Sequence, residues 1–149
     1  MNLLQRSYWP ADTAEPVLET TVGSILREAA ASAGGRTAIV AWGQSPGERR
    51  VWTYTELLRD AERTARALLT RFKPGEHIAA FAPNLAEWVV AATGLQSAGA
   101  VLVPLNTRFK GREAGYVLRK SRAKVLVTVG DFLGARYVES LADEALPDL

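Results

Sequence analysis

No cysteine occurs in the 149 residues. That excludes disulfides, thiolate nucleophiles and cysteine-ligated zinc, and it suits a reducing cytoplasm, where the chain is expected to reside. Histidine occurs once, as His77. A Ser-His-Asp or histidine-metal site would need partners that the sequence does not place beside it, so His77 reads as structural. Charge of one sign is scarce as well. Eighteen basic against sixteen acidic side chains leave +2, too little to argue for nucleic acid, and the pI near 9.1 expresses the same small excess. No run approaches the roughly 20 apolar residues of a spanning helix. The opening MNLLQRSYWPADTAEP lacks the continuous apolar centre of a signal peptide. Neither G-x-G-x-x-G nor G-x-x-x-x-G-K-S/T is found, so the two common phosphate-cradling glycine loops are missing. There is no repeat, low-complexity tract or linker.

What is present is ordinary globular material: 48% hydrophobic and 23% charged residues, in a length that can hold one domain with a real core. The stretch 76–109, EHIAAFAPNLAEWVVAATGLQSAGAVLVPLNTRF, organises it. Residues 77–82 form a short apolar run broken by Pro83. Asn84 is expected to cap a helix, with Glu87 three places on completing the box. Leu85, Trp88, Val89, Ala92 and Leu95 recur at helical spacing. Gly99 ends the helix with a positive φ, and residues 101–103 run apolar again to Pro104. Strand, helix and strand make a βαβ unit with parallel strands and a right-handed crossover.

Residues 1–19 read as an irregular lead-in, with Tyr8 and Trp9 packed on the domain surface. Thr21 caps a helix to about residue 33, its stripe being Val22, Ile25, Leu26 and Ala29, and Gly34-Gly35 stops it. Residues 37–42 and 49–52 read as a hairpin around GQSPGE. Thr53 and Glu56 form a capping box for a helix to about residue 72, with Leu57, Leu58, Ala61, Ala65, Leu68, Leu69 and Phe72 inward. Pro74-Gly75 closes it. After the loop LNTRFKGRE comes a helix over 111–121 with Ala114, Val117 and Leu118 inward, then a buried strand over 124–129. Asp131 is expected to cap a last helix holding Phe132, Leu133, Val138 and Leu141. The alternation predicts an α/β fold: a largely parallel sheet flanked by helices. Ligands of such sheets gather beyond the carboxyl ends of strands, here Ala82-Pro83-Asn84, residues 104–110 and Gly130-Asp131. The basic set Arg108, Lys110, Arg112, Arg119, Lys120, Arg122 and Lys124 reads first as a solvated helix face and second as a surface for phosphates. It carries no aromatic stacking pattern, which argues against single-stranded nucleic acid.

Several segments, kept in order and spacing, resemble the N-terminal part of the adenylate-forming acyl-CoA synthetases, the AMP-binding ligases. They are Thr53-Tyr54-Thr55-Glu56-Leu57-Leu58, Ile78-Ala79-Ala80-Phe81-Ala82-Pro83-Asn84 with Glu87-Trp88, Ala98-Gly99-Ala100 followed by Val103-Pro104-Leu105-Asn106-Thr107-Arg108, and residues 124–128. Phe132-Leu133-Gly134 is similar to the branch acting on fatty, steroid-derived or ring-bearing acids. The resemblance implies a partial N-terminal subdomain of that fold over residues 20–149, in an enzyme that needs ATP, Mg2+ and coenzyme A. That enzyme turns a carboxylic acid into its CoA thioester through an acyl-adenylate. The family's phosphate loop, TSGTTG-x-PKG, its acidic magnesium ligand and its C-terminal lysine lie downstream of the matched region, so the chain alone is expected to be inactive, and no catalytic or metal-ligating residue is assigned. The resemblance places the loop of Asn106, Thr107 and Arg108 beside the channel for the pantetheine arm of CoA, and the loop 130–133 near its nucleotide end. Two departures stand out: Lys110-Gly111 where the family has a small hydroxyl residue or proline, and the basic turn Arg119-Lys120-Ser121-Arg122.

Two functions therefore compete. In the first, the chain is the N-terminal segment of a ligase, with the remainder of the ligase and an acid substrate as partners. In the second, it is a stand-alone binding or scaffold module that pairs with a separate catalytic chain. The apolar runs VLV and VLVTV suit a sheet covered on both faces. Without covering elements the chain is expected to leave apolar side chains exposed on those strands and on the final helix, and to aggregate, form a homodimer or bind hydrophobic dyes.

Overall fold

The computed structural model describes residues 10–14, 16–42 and 47–149. Tyr8, Trp9 and most of the GQSPGE turn lie outside the described residues. Helix α1 (Val22–Ala33) is followed by strands β1 (Thr37–Trp42) and β2 (Arg49–Thr53), helix α2 (Tyr54–Leu68), strand β3 (His77–Phe81), helix α3 (Ala86–Ser97), strand β4 (Val101–Pro104), helix α4 (Gly111–Ser121) and strand β5 (Val125–Thr128). A short hairpin, β6 (Asp131–Phe132) and β7 (Ala135–Arg136), leads into the single turn α5 (Tyr137–Ser140).

The centre is a three-stranded parallel sheet in the order β4-β3-β5. Side chains alternate across it, as the strand period requires. Ile78 points to one face and packs with Leu95 of α3 and with Phe72, joined by Leu102, Val125 and Val127. Ala79 and Phe81 point to the other face and pack with Ala114 and Leu118 of α4, with Val103 and Leu126 alongside. A third cluster, Leu26, Leu57 and Ala61, joins α1 and α2 beneath the β1–β2 hairpin. The hairpin is antiparallel, with Val40 opposite Val51 and Trp42 opposite Arg49.

Capping chemistry accounts for several boundaries. The Thr21 hydroxyl accepts from the Ser24 amide at the start of α1. Thr53 and Glu56 form the expected reciprocal box, with Glu56 N to Thr53 Oγ1 at 3.2 Å and Thr53 N to Glu56 Oε2 at 2.8 Å. The Thr53 amide first, and then the Thr53 hydroxyl, which donates to the same Oε2 at 2.9 Å, hold the Glu56 carboxyl below its usual range. Gly99 takes φ +80° after α3, as its position requires.

The structure departs from expectation at five places. Helix α3 starts one residue later, with Leu85 rather than Asn84 at its cap and no side-chain cap bond. The Leu85 amide is already turned onto the Pro83 carbonyl, at 2.8 Å, and Glu87 faces Arg50 instead of the cap. Trp88 is only half-buried and Leu85 is exposed, because the helix lies between the sheet and α2 and buries Ala86, Ala92, Gly94 and Leu95 instead. Helix α2 ends at Leu68, where the last carbonyls are taken up by a turn, Ala67 accepting from the Thr70 hydroxyl at 2.7 Å and Leu68 from the Arg71 amide at 2.8 Å; Leu69 is exposed, while Phe72 is still buried. On α1 only Gly23 and Leu26 are buried, and Val22 and Ile25 face outward. No helix begins at Asp131. Leu133 and Gly134 adopt φ +50° and +78°, the two left-handed residues of a tight hairpin turn. Phe132, Leu133 and Val138 are exposed as a result, and the buried side chains are Tyr137 and Leu141. The Tyr137 ring lies 4.3 Å from that of Phe81.

Candidate functional site

Right-handed crossovers fix where a site can form. From β3 the chain passes through α3 on one face to β4; from β4 it passes through α4 on the opposite face and over β3 to β5. The loops leaving β3 and β4 therefore diverge at adjacent strand ends, which is the topological switch point of a doubly wound sheet. A cleft of about 280 Å3 opens there, lined by Ala82, Asn84, Trp88, Pro104, Leu105, Asn106 and Thr107.

Its far wall is anchored to the sheet. The Leu105 amide donates to the Ala80 carbonyl at 2.8 Å, and the Leu105 side chain is buried in the α4-side core. Asn106 then turns the chain. Its Oδ1 accepts from the Arg108 amide at 2.9 Å and its carbonyl accepts from the Phe109 amide at 3.0 Å. The side-chain oxygen of Asn106 is thus engaged in the loop itself, while its NH2 group donates to no partner among the described residues. Thr107 is half-buried on the cleft wall. Arg108 is exposed and does not line the cleft. Of the three candidates, the structure brings Asn106 and Thr107 together with Asn84 and Trp88, and leaves Arg108 at the surface. Gly130 to Leu133, the other candidate loop, is exposed and lies outside this cleft.

The basic set divides. Arg119 pairs with Glu144 at 2.6 Å and Lys124 with Asp148 at 2.8 Å, so these two hold the C-terminal segment against α4 and β5. The Lys124 hydrogen bond keeps the Asp148 carboxyl below its usual range. Arg122 takes the left-handed conformation that ends α4, at φ +52°. Arg108, Lys110, Arg112 and Lys120 are exposed. Lys110 offers no side-chain oxygen to cap α4; only the return bond is made, from its amide to Glu113 Oε2 at 2.9 Å. His77 Nδ1 is bonded to the Ser121 carbonyl, which ties the start of β3 to the end of α4 and fits its structural reading.

Sequence reasoning missed the cluster on the near side of the cleft. Arg50 on β2 pairs with Glu87 in the first turn of α3 and lies over the Trp52 ring at 4.7 Å. Trp52 Nε1 donates to Asp60 Oδ2 at 3.2 Å, and Asp60 accepts from Arg59 and Arg63 at 3.0 Å each. The bond from Arg59, then that from Trp52, holds the Asp60 carboxyl low. The Glu87 carboxyl is held low by its own backbone amide and then by Arg50. A larger open cleft of about 970 Å3 lies on the far side of this pair, between the hairpin and the start of α3. Arg50 and Glu87 are 37 residues apart, and no local pattern announces such a pair. Among the described residues no three His, Cys, Asp or Glu side chains gather where a cation could be held. Nor is any helix long and apolar enough to cross a membrane.

Comparison with known proteins places this geometry. Residues 26–148 match the sequence model of the AMP-binding enzyme family. A 7a-methyl-1,5-dioxo-octahydro-1H-inden-4-yl propanoyl:CoA ligase from Rhodococcus jostii is 40% identical over 127 residues, 85% of this chain and 24% of the relative. A ligase of the same description from Mycobacterium tuberculosis is 43% identical over 104 residues, 68% of this chain and 20% of the relative. The chain thus spans about a quarter or less of the curated relatives it matches. Among solved structures, an anthranilate CoA ligase in complex with anthranoyl-AMP superposes with a TM-score of 0.74 at 27% identity, over 93% of this chain and 25% of that one. The N-terminal domain of FACL13 from Mycobacterium tuberculosis gives 0.66 at 26% identity, over 87% and 37%. The α/β fold with its parallel sheet is that of the N-terminal part of adenylate-forming enzymes, and the chain belongs to the AMP-binding enzyme family.

Proposed function

We propose that this chain supplies the N-terminal part of an ATP-dependent acyl-CoA ligase, with residues 20–149 forming part of its AMP-binding domain and 1–19 a lead-in. The observation that carries the reading is the family match over 26–148, together with a cleft at the switch point where such sheets take ligands. The whole enzyme joins a carboxylic acid to coenzyme A through an acyl-adenylate. The residues that would hold ATP and Mg2+ belong to the remainder of that ligase. The acid is a fatty or ring-bearing one; the Rhodococcus relative, named for an octahydroindenyl propanoyl group, supports the ring-bearing class. The partner is the remainder of a ligase chain, in the cytoplasm. Asn106 and Thr107 border the path of the pantetheine arm, with the Asn106 NH2 as a donor to its amides, and Arg108 stands outside as a surface cation.

A chimera tests the reading. Residues 20–149 replace the matching segment of the Rhodococcus ligase. The expected result is acid-dependent release of pyrophosphate and formation of a CoA thioester, while the present chain alone gives neither. A chimera that melts cooperatively yet releases no pyrophosphate with any acid of a fatty and ring-bearing panel refutes the reading. Within an active chimera, Asn106→Ala and Thr107→Val should raise KM for CoA several-fold and leave pyrophosphate release without CoA unchanged. Unaltered KM in both would remove these residues from the CoA path.

A further inference from the structure

We propose that Arg50 is a positioning residue: through Glu87 it sets the start of α3, and with it the Trp88 wall of the switch-point cleft. The inference concerns the cleft wall itself and holds whether or not the ligase reading does.

The need for such a device follows from how α3 begins. Four backbone amides at a helix start lack intrahelical partners, and this start has an apolar cap residue, Leu85, with no side-chain oxygen to receive them. Asn84, the one residue nearby that could do so, is exposed and lines the clefts instead. The first turn of α3 therefore rests on backbone bonds, the Leu85 carbonyl accepting from the Trp88 amide at 3.1 Å, and on the Glu87 carboxyl held by its own amide; Trp88, which lines the small cleft with Asn106 and Thr107, belongs to it. With no side-chain cap at Leu85, a restraint from outside the helix adds to these bonds.

Arg50 is placed to give it. Its guanidinium reaches Glu87, the residue next to Trp88. The guanidinium is itself restrained, lying 4.7 Å over the Trp52 ring, and planar stacking narrows the orientations from which it can donate. Trp52 is held in turn by its indole bond to Asp60 on α2, at 3.2 Å, and Asp60 by Arg59 and Arg63. The chain of contacts runs from the body of α2, through the hairpin, to the first turn of α3. All three clefts around the pair share these residues: Arg50 and Glu87 line two of them, and Asn84 and Trp88 line the third along with the largest. Glu87 also sits where a carboxylate favours a helix start, so the pair orients the helix end and complements its dipole together.

The side chains of Arg50 and Glu87 are 47% and 57% exposed, so replacing either strands no buried charge, and the variants should fold. The test is nuclear magnetic resonance on the full chain. The 15N–1H signals of the Trp88 indole and of the Asn106 and Thr107 amides are followed in Arg50→Gln, Glu87→Gln, the double variant, and the reversed pair Arg50→Glu with Glu87→Arg. A positioning role predicts that both single variants move the Trp88 indole and Asn106 signals in the same direction. The double variant should move them no further, and the reversed pair should return them toward the parent positions. Shifts confined to the hairpin and α2, with Trp88 and Asn106 unmoved, overturn the proposal. So do additive shifts in the double variant, which would mean that the two residues act independently.

Discussion

Two glycines on one face of α4 should respond to alanine unequally, one losing stability and the other staying near the parent. Gly111 and Gly115 are four residues apart and both face the C-terminal segment. A Cβ at Gly111 would stand 1.8 Å from the Ser140 carbonyl oxygen and 2.9 Å from its carbon. Those atoms are backbone, at the end of α5, and they cannot move without dragging Tyr137 and Leu141 out of the core they share with Phe81. Overpacking of this kind costs about 1–3 kcal/mol. The gain in helix propensity from glycine to alanine, up to about 1 kcal/mol in a helix interior, is smaller at the first helical position. Gly111→Ala should therefore lose about 1–2 kcal/mol. A Cβ at Gly115 meets Glu144 instead, 2.4 Å from Oε2 and 2.7 Å from Cγ. That side chain can rotate away at the expense of its pair with Arg119. A partly exposed pair of this kind contributes about 0–1 kcal/mol, and the mid-helix gain of roughly 0.5–1 kcal/mol offsets it. Gly115→Ala should fall within about 0.5 kcal/mol of the parent. Urea unfolding, with the midpoint compared at unchanged slope, reads both. If Gly111→Ala is neutral, or if Gly115→Ala costs as much as Gly111→Ala, the packing of the C-terminal segment on α4 is wrong.

Three further outcomes are expected. Trp88→Ala should cost about 1.5–2.5 kcal/mol, roughly half the 3–5 of a fully buried aromatic, since the ring is half-buried against a cleft; a denaturation loss above about 3 kcal/mol would show it enclosed. Asp60 and Glu87 both have carboxyls held below their ordinary values of 3.8 and 4.5. A depressed folded pKa contributes stability that is complete above the unfolded value and lost as pH falls through the folded one, so their contribution should be level from neutral pH to about 5 and decline below the ordinary values. Trp52→Phe, which removes one bond to Asp60, should flatten that acid decline in thermal melts, and an unchanged acid slope would detach Asp60 from it. Finally, the outer face of the hairpin carries Val40, Val51 and Trp42, and α1 exposes Val22 and Ile25. The chain should self-associate and bind hydrophobic dye at micromolar concentration, less so in Trp42→Ser; a dye-silent monomer in sedimentation velocity would contradict this.

Legibility in the sequence followed the reach of the interaction that decides each feature. Thr21, Thr53 and Glu56 set their helix starts through partners three residues away, and these starts are where the pattern puts them. Runs of apolar residues gave β1 and the helix α4 at their observed limits. The errors came where a longer or rarer interaction won. Asn84-x-x-Glu87 has the letters of a capping box, but Glu87 is taken by Arg50 from another element. Asp131 has the letter of a cap, but the chain turns back at Leu133-Gly134, and a leucine at φ +50° carries no sequence signature of that turn. The exposed apolar surface was expected on β4, β5 and the last helix. Val101 of β4 and Val138 of α5 are exposed as expected, whereas all four residues of β5 are half-buried, and further exposures that were not expected fall on Val22 and Ile25 of α1, Trp42 and Tyr116.

The candidate site was legible for a different reason. Alternating strands and helices bring the carboxyl ends of parallel strands to one side, whatever their order, so the loops after β3 and β4 had to gather there. The order itself was not legible, and the cleft depends on it. Had β5 paired beside β4, both crossovers would run in one direction and right-handedness would place α3 and α4 on the same face. Neighbouring loops would then lean the same way and close over the strand ends. Because β5 pairs with β3 instead, bonded from Ile78↔Val125 to Phe81↔Thr128, the second crossover reverses and α4 covers the opposite face. The Thr128 hydroxyl reinforces this placement by donating to the Phe81 carbonyl at 2.7 Å, at the end of the strand from which the first cleft loop departs. Pairing on that side of β3 is what separates the Asn84 loop from the Asn106 loop, and the space between them is the cleft.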